Sequence, residues 1–125
     1  MISENCPFCS NVEKIQLSNN SAICIFDKYP VTKYHCLIIP RRHEASFFNL
    51  DDKEQQDCIA LINQGKSQLC SMDETITGFN FGVNDGIDAG QTILHCHIHL
   101  IPRRKNDIKE PQGGVRNIIP GKGKY

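Results

Sequence analysis

The sequence predicts an α+β fold built around an antiparallel sheet, and three observations support this fold class. Short apolar segments are separated by turn-forming residues, which is typical of short strands. One longer segment carries its apolar residues at helical spacing. The helical signals are grouped and do not alternate with the strands, which favours an antiparallel sheet over βαβ units.

Two strands are predicted in the first half of the chain. Residues 21–26 (SAICIF) form a mostly apolar run of strand length. Residues 36–39 (CLII) form a second, fully apolar run that we expect to be buried and to end at Pro40. A short helical turn is expected near residues 46–48, between these strands and the main helix.

The long helix is predicted over residues 51–70. Asp51 and Glu54 have the spacing of a capping box, in which Asp51 is the N-cap. Gly65 lies near the apolar stripe, and a close contact with the sheet would explain a residue that costs a helix about 1 kcal/mol. The stripe itself consists of Cys58, Leu61, Ile62 and Leu69.

Residues 78–84 alternate in the manner of a half-buried strand. Phe79, Phe81 and Val83 are predicted to be buried, with Asn80, Gly82 and Asn84 on the opposite face. A turn-rich loop at residues 85–90 then leads into a further apolar segment.

That further segment contains three alternating histidines, His95, His97 and His99. In a strand they would line one surface, while Cys96, Ile98 and Leu100 would face the core. Imidazole binds zinc and also attacks phosphorus, so the pattern fits either a metal site or a nucleophile. A structural role for three histidines is the third interpretation, and spacing alone does not choose among them.

Composition indicates one soluble domain spanning residues 1–125. Of these residues 39% are hydrophobic and 22% charged, and no apolar run is long enough to span a membrane. The first five residues lack the basic start of a signal peptide. Seven cysteines are an odd number, so reduced thiols in the cytoplasm are expected rather than a disulfide framework.

The net charge of zero conceals a basic C-terminal tail, residues 104–125. Residues 101–125 hold seven of the 14 Lys and Arg residues but only two of the 14 Asp and Glu residues. Such a tail either attracts a polyanionic ligand or is simply solvated. Nucleic acid is not an expected partner, because the chain as a whole is not basic. No membrane partner is expected either.

Cys6 and Cys9 form a C-x-x-C motif, which fits half a zinc site, a redox pair or chance. A thioredoxin-like role has little support, because no strand precedes the motif. The other cysteines lie mostly on apolar stripes and are predicted to be small core residues; they are Cys24, Cys36, Cys58, Cys70 and Cys96.

Several short motifs occur in a fixed order along the chain. They are FD at 26–27, HCLIIPRRH at 35–43, NDG at 84–86, AGQT at 89–92, HxHxHLIPR at 95–103 and PQGGVR at 111–116. Together they resemble the histidine triad (HIT) superfamily of nucleotidyl hydrolases and transferases, and the resemblance covers most of residues 6–103. The ending is similar to microbial HIT hydrolases described as diadenosine tetraphosphate hydrolases.

The resemblance implies a role for each matching residue. His97 would be the nucleophile that carries a covalent nucleotidyl group, and His99 would bind the phosphate or protonate the leaving group. Asp27 would bind the ribose, and three apolar residues would border the base. The remaining implied sets are Asn84, Gln91 and Thr92 for the phosphates or leaving group; Ile25, Phe26 and Leu37 for the base; and Cys6, Cys9, His43 and His95 for a structural zinc ion.

The resemblance also implies a HIT-like sheet of about five strands and a homodimer with a continuous sheet. The expected reaction is hydrolysis of dinucleoside polyphosphates at the α-phosphate. Three alternatives stay open: a nucleoside phosphoramidase acting on adenylated amines, a catalytic zinc hydrolase using His95, His97 and His99, and a nucleotide-binding protein without activity. His35 is expected to orient its neighbours or to hydrogen-bond behind the active histidine.

Overall fold

A computed structural model of the chain describes residues 5–10 and 14–124. Residues 1–4, used in the expectation about a signal peptide, and Tyr125 of the tail lie outside the described residues. Short 3₁₀ turns occupy Phe47–Asn49, Ile87–Ala89 and Gly114–Ile118. The helices and strands, in chain order, are α1 (Pro7–Ser10), β1 (Leu17–Ser18), β2 (Ala22–Phe26), β3 (Cys36–Pro40), α2 (Asp52–Met72), β4 (Ile76–Val83) and β5 (Ile98–Arg104).

In this part of the chain, the five strands form one antiparallel sheet in the order β1-β2-β3-β5-β4. The predicted α+β class and the strand number are therefore confirmed. β4 lies at one edge of the sheet. In the centre, His99 of β5 is paired with Leu37 of β3 on one side and with Gly82 of β4 on the other. This register places His99 in the middle of one face of the sheet.

The two faces of the sheet carry different residues. One face packs against α2 and forms the main core, which includes Cys24, Ile38 and Leu100. The opposite face carries a smaller apolar cluster of Ile23, Leu37 and Ile39, against which Phe8 and Ile25 pack. Because directly paired residues point the same way, His99 lies on this second face, which we call the site face.

Helix α2 begins and packs as its sequence predicts. Asp51 accepts a hydrogen bond from the Glu54 backbone N–H at 2.8 Å, and Glu54 accepts one from the Asp51 N–H at 3.0 Å. The capping box is therefore complete. Three residues of the predicted stripe are buried and Ile62 is half-buried; the buried ones are Cys58, Leu61 and Leu69.

Gly65 is buried where α2 crosses the sheet, and a Cβ atom there would lie 3.0 Å from Leu100 Cδ2. We expect Gly65→Val to lower the free energy of unfolding by about 1–3 kcal/mol, because the added methyl groups overpack this contact. Denaturant unfolding measures the loss. Ser67→Val, at an exposed position of α2, controls for helix propensity. Equal stabilities of the two variants would contradict the packing argument.

The bounds of β2, β3 and β4 agree with the sequence predictions to within two residues, but the burial of several predicted core residues differs. Phe79 and Val83 are half-buried rather than buried. Phe81 is 58% exposed rather than buried, because β4 is an edge strand and α2 leaves this end of it uncovered. Cys70 is exposed on α2 and is not a core residue. The predicted strand through the histidines is also shorter, since β5 begins only at Ile98.

The basic C-terminal segment folds back with turns against β4. Arg103 binds both carboxylate oxygens of Asp107, at 2.7 and 2.8 Å, and Arg104 binds Asp73 at 3.0 Å. These two guanidinium groups are therefore already matched by carboxylates. In the described part of the chain, no helix has the length and apolar character needed to cross a lipid bilayer.

Candidate functional site

A cavity of about 490 Å³ opens on the site face. The predicted base-contacting residues and the predicted ribose ligand Asp27 all line it, together with two of the triad histidines. Phe8, Lys14 and Tyr29 also line it, and sequence reasoning missed all three. The principal wall residues are Phe8, Ile25, Phe26, Asp27, Leu37, His97 and His99.

A hydrogen bond to a nearby backbone carbonyl oxygen holds the His97 ring in one tautomer. Its Nδ1 lies 2.8 Å from the carbonyl oxygen of His95. A carbonyl oxygen only accepts hydrogen bonds, so Nδ1 must carry the proton and donate. Nε2 of the neutral ring therefore keeps its lone pair. Since His97 lines the cavity, this arrangement suits attack on an electrophile bound there.

A chain of hydrogen bonds holds His99 in the opposite tautomer, with its proton on Nε2. The Val31 backbone N–H donates to His35 Nδ1 at 3.2 Å, so the His35 proton lies on Nε2. His35 Nε2 then donates to His99 Nδ1 at 2.9 Å. His99 consequently carries its own proton on Nε2 and offers a donor. His35 thus hydrogen-bonds to a histidine of the cavity wall.

Burial lowers the pKa of both His35 and His99. For His99, repulsion from the neighbouring imidazole rings of His97 and His35 lowers the pKa further, while the Asp27 carboxylate opposes the shift. For His35 the same carboxylate, whose Oδ2 lies 3.5 Å from Nε2, is the opposing influence. Both rings are therefore held neutral near pH 7, as the hydrogen-bond chain requires.

The stability of the fold is expected to fall as the pH drops from about 7 to about 5. The unfolded chain takes up protons on its histidines near pH 6.5, whereas the buried rings resist protonation, so the free energy of unfolding decreases below that pH. His35→Gln removes one of these rings and should give a shallower dependence of Tm on pH. Calorimetry of both proteins tests this, and identical slopes would contradict it.

Asp27, His35 and His99 also form a group whose possible ligand atoms lie within 4.8 Å of one another. The hydrogen bond from Val31 argues against a metal ion there. It places the His35 proton on Nε2, the atom that would have to coordinate the ion. This group is better described as a proton-ordered hydrogen-bond network.

The catalytic zinc alternative, with His95, His97 and His99 as ligands, is not supported by the geometry. His95 is fully buried, and its two ring nitrogens face Cys6 and the Pro40 carbonyl oxygen. Neither nitrogen is directed at His97 or His99. The three histidines therefore do not converge on one ion.

Instead, His95 belongs to a second group, which contains Cys6, Cys9 and His43. Nδ1 of His95 lies 3.3 Å from Cys6 Sγ and 3.4 Å from Cys9 Sγ. Nδ1 of His43 lies 3.2 Å from Cys9 Sγ and 3.2 Å from His95 Nδ1. We call these four residues the metal group, because the structure brings together all four ligands that the resemblance implies.

The chemistry of the metal group fits zinc. Two thiols and two imidazoles are a common ligand set of structural zinc sites. His95 Nε2 donates to the Pro40 carbonyl oxygen at 2.7 Å, which leaves the Nδ1 lone pair for an ion. Burial lowers the pKa of His95, which keeps this ring in the neutral form that metals bind.

The predicted phosphate-binding residues lie in or beside the loop that precedes β5. Asn84 follows Val83, the partner of Ile98, so Asn84 lies at the His97 end of the sheet and is exposed. Thr92 is exposed as well. Both side chains are therefore accessible to solvent, and neither is among the residues that line the cavity.

Gln91 is different, because its side chain is buried and bound to the loop backbone. Its Oε1 accepts from the Gly86 N–H at 2.8 Å. Its Nε2 donates to the carbonyl oxygens of Ala45 and Ile93 at 2.9 and 3.0 Å. These hydrogen bonds hold the loop that carries Thr92. The role of Gln91 toward the phosphates or the leaving group stays a prediction.

The match to a family model decides the classification. A model described as HIT domain matches residues 10–106. The chain belongs to the HIT domain family. The two cysteines of the metal group lie before the matched region of this HIT domain protein.

Proteins similar to this chain are described with several different activities. A bis(5'-nucleosyl)-tetraphosphatase (asymmetrical) from Schizosaccharomyces pombe is 35% identical over 81 residues, covering 65% of this chain and 44% of that protein. An adenylylsulfatase from Arabidopsis thaliana is 30% identical over 114 residues, covering 85% and 56%. The crystal structure of Plasmodium falciparum diadenosine triphosphate hydrolase with cyclomarin A is similar at a TM-score of 0.75 and 28% identity, covering 88% and 76%.

Proposed function

We propose that this HIT domain protein is a nucleotide hydrolase that cleaves dinucleoside polyphosphates at the α-phosphate through a covalent nucleotidyl-His97 intermediate. The observation that carries the proposal is the tautomer of His97, whose Nε2 lone pair is available at the cavity while Nδ1 donates to the His95 carbonyl oxygen. The yeast and Plasmodium relatives act on substrates of this class by their names, which supports the same assignment here.

The proposed reaction has two displacements. In the first, His97 Nε2 forms a bond to the α-phosphorus, and the bond to the bridging oxygen of the leaving nucleotide breaks. The positive charge that develops on the ring is stabilised by the Nδ1–H···O bond to His95. In the second, water attacks the phosphorus, the P–N bond breaks and a nucleoside monophosphate is released. Nε2 then regains its lone pair.

Other residues have supporting roles in this proposal. The His99 Nε2–H donates a hydrogen bond to a phosphate oxygen or the leaving oxygen. The hydrogen bond from His35 to His99 Nδ1 keeps the proton on Nε2 for this purpose. Asp27 Oδ1 already accepts from the Tyr29 N–H at 2.8 Å, and the carboxylate has lone pairs left for ribose hydroxyls. Asn84, Gln91 and Thr92 are proposed to bind the phosphates or the leaving group, with adenine as the base.

Rapid-quench mass spectrometry tests the proposal directly. The protein is mixed with a panel of diadenosine polyphosphates and quenched in alkali, because a phosphoramidate bond to histidine is labile in acid. We expect an adenylylated protein during turnover, with the nucleotide on His97. Turnover of a panel member without any adduct would sink the mechanism. No turnover of any panel member would instead favour a binding protein.

A second candidate is hydrolysis of adenylylated amines or sulfate. The match to the adenylylsulfatase covers 85% of this chain, and this similarity supports the second candidate. The two candidates share the first displacement and differ only in the leaving group. Adding adenosine 5'-phosphoramidate and adenylyl sulfate to the same panel ranks the substrates by kcat/KM.

We also propose that the metal group holds a structural zinc ion and that residues 1–125 act as one domain in a homodimer. The exposed edge strand β4, with Phe81 uncovered, suits a continuous sheet between two copies. Sedimentation velocity reports the dimer. The cysteines of the described residues form no disulfide, which is compatible with the proposed cytoplasmic location.

A further inference from the structure

We propose that zinc binding and nucleotide binding are linked through Phe8, so that each ligand tightens the binding of the other. Phe8 lies in the chain between two residues of the metal group and in space on the wall of the nucleotide cavity. This linkage rests on the proposed nucleotide site and makes the metal group part of its regulation, in addition to any structural role.

The backbone of Phe8 is fixed by the sulfur ligands on either side of it. Cys6 and Cys9 bracket a single turn, closed by a hydrogen bond of 3.1 Å from the Cys9 N–H to the Cys6 carbonyl oxygen. Pro7 removes one further backbone freedom inside this turn. An ion that binds both sulfurs therefore also restricts the backbone of Phe8, because only two residues separate the two ligands.

The side chain of Phe8 reaches the site face. Its ring centroid lies 5.0 Å from that of His97 and 6.0 Å from that of His95, both edge-on. The ring also packs with the small apolar cluster that contains Leu37. Both Phe8 and Leu37 line the same cavity as Asp27, the ribose ligand proposed above. A nucleoside in this cavity would therefore pack against a ring that the metal group positions.

The two ligands are expected to enhance each other's binding because each of them orders the same Cys6–Cys9 turn. Binding of zinc restricts the Cys6–Cys9 turn, so a nucleotide that packs against Phe8 afterwards has less to order and binds more tightly. The nucleotide restricts the same turn in the absence of zinc. By thermodynamic reciprocity, the two ligands must enhance each other by the same factor, and couplings of this kind are about fivefold or more.

A separate connection runs from His95 to His97 through the carbonyl oxygen. It orients the proposed nucleophile and leaves the contact between Phe8 and the nucleoside untouched. Loss of Phe8 should therefore weaken nucleotide binding, with the alignment of His97 retained. This difference separates Phe8, as a positioning residue, from a general effect of the metal on the fold.

The experiment measures both halves of the linkage with AMP and Zn²⁺. Calorimetry gives the Kd of AMP for zinc-loaded and chelator-treated protein, and competition with a chromophoric chelator gives the Kd of Zn²⁺ with and without saturating AMP. We expect AMP to bind at least about fivefold more tightly to the zinc-loaded protein, and the zinc affinity to rise by the same factor. The zinc-release measurement starts from folded, loaded protein, so it remains decisive if chelation unfolds the chain.

Phe8→Ala should reduce the linkage to less than about twofold, with AMP binding weakened even when zinc is bound. Phe48→Ala is the matched control, because Phe48 is 78% exposed on the 3₁₀ turn and lies outside the cavity wall. It should keep the full linkage. Circular dichroism verifies that both variants are folded.

The outcomes distinguish the linkage from the function on which it rests. Equal AMP affinity with and without zinc, or an undiminished linkage in Phe8→Ala, overturns the linkage and leaves the proposed hydrolase intact. Failure of the zinc-loaded wild type to bind AMP overturns the proposed adenosine site and the linkage with it.

Discussion

His97→Ala is expected to lower kcat on the best diadenosine polyphosphate by at least about 10⁴-fold, because removal of a covalent nucleophile leaves only binding and electrostatic contributions. The nucleotidyl adduct should disappear from the same sample. Alanine also removes the bond to the His95 carbonyl oxygen, but that bond is half-buried and its loss has a small effect on the fold. Steady-state kinetics and rapid-quench mass spectrometry measure both effects.

His99→Ala is the informative comparison. In the proposed reaction His99 donates a hydrogen bond but does not bond to phosphorus, so the adduct should form more slowly and still be detected. The loss in kcat should be about 10²–10³-fold, the cost of removing one donor to the transition state. If His97→Ala kept its adduct, or retained more activity than His99→Ala, the assignment of the nucleophile would be wrong.

The parts of the fold that depend on local interactions were predictable from the sequence. The cap of α2 involves residues three positions apart, Asp51 and Glu54, and its stripe repeats at helical spacing. The close contact of Gly65 with Leu100 was anticipated because a buried helix glycine needs a packing reason. Alternation likewise identified the core residues Cys96, Ile98 and Leu100 correctly.

The start of β5 was not predictable, because alternation describes extended backbone and not strand pairing. Cys96 N–H donates to the Glu44 carbonyl oxygen rather than to a neighbouring strand. The segment before Ile98 bends at residues 93–95 and leaves the ladder, and His95 is buried beside Cys6. The start of β5 therefore depends on the position of Glu44, about 50 residues earlier in the chain.

The tautomers of the histidines depend on similarly distant partners. The Pro40 carbonyl oxygen determines the tautomer of His95. His35 determines the tautomer of His99, and the Val31 backbone N–H determines that of His35. Nothing in the spacing of the triad contains this information. The sequence predicted three histidines with unequal roles only through resemblance. The structure adds the physical reason, since each ring has a different hydrogen-bond partner.

The three backbone hydrogen bonds of Gln91 could not be predicted from its motif either. A buried amide that bonds three backbone groups looks the same in sequence as one that bonds a phosphate. The loop also depends on Asp85, whose carboxylate accepts from Ser46 Oγ and from the Phe47 N–H at 2.8 Å. The sequence analysis gave this carboxylate and its partners no contact with each other, because a turn-rich segment supplies many equivalent polar residues.

Cys9→Ser is expected to give the largest loss of stability, because it removes a sulfur ligand from the metal group. Structural zinc contributes its binding free energy to folding, so loss of tight binding should lower the free energy of unfolding by about 3 kcal/mol or more. For a domain of this size, that corresponds to a fall in Tm of roughly 10 °C or more. Metal analysis should find about one zinc ion per chain in the wild type and much less in the variant.

Cys70→Ser is the matched control, since Cys70 is an exposed thiol on α2 outside the metal group. It should keep its zinc and its Tm, and its Tm should fall on chelation as in the wild type. Chelation should scarcely change Cys9→Ser, because both treatments remove the same ion. A wild type without zinc, or a Cys9→Ser variant as stable as Cys70→Ser, would reduce the metal group to a cluster of hydrogen-bonded thiols and imidazoles. Equal Tm values for chelated wild type and Cys9→Ser would identify the ion, rather than the thiol itself, as the source of the stability.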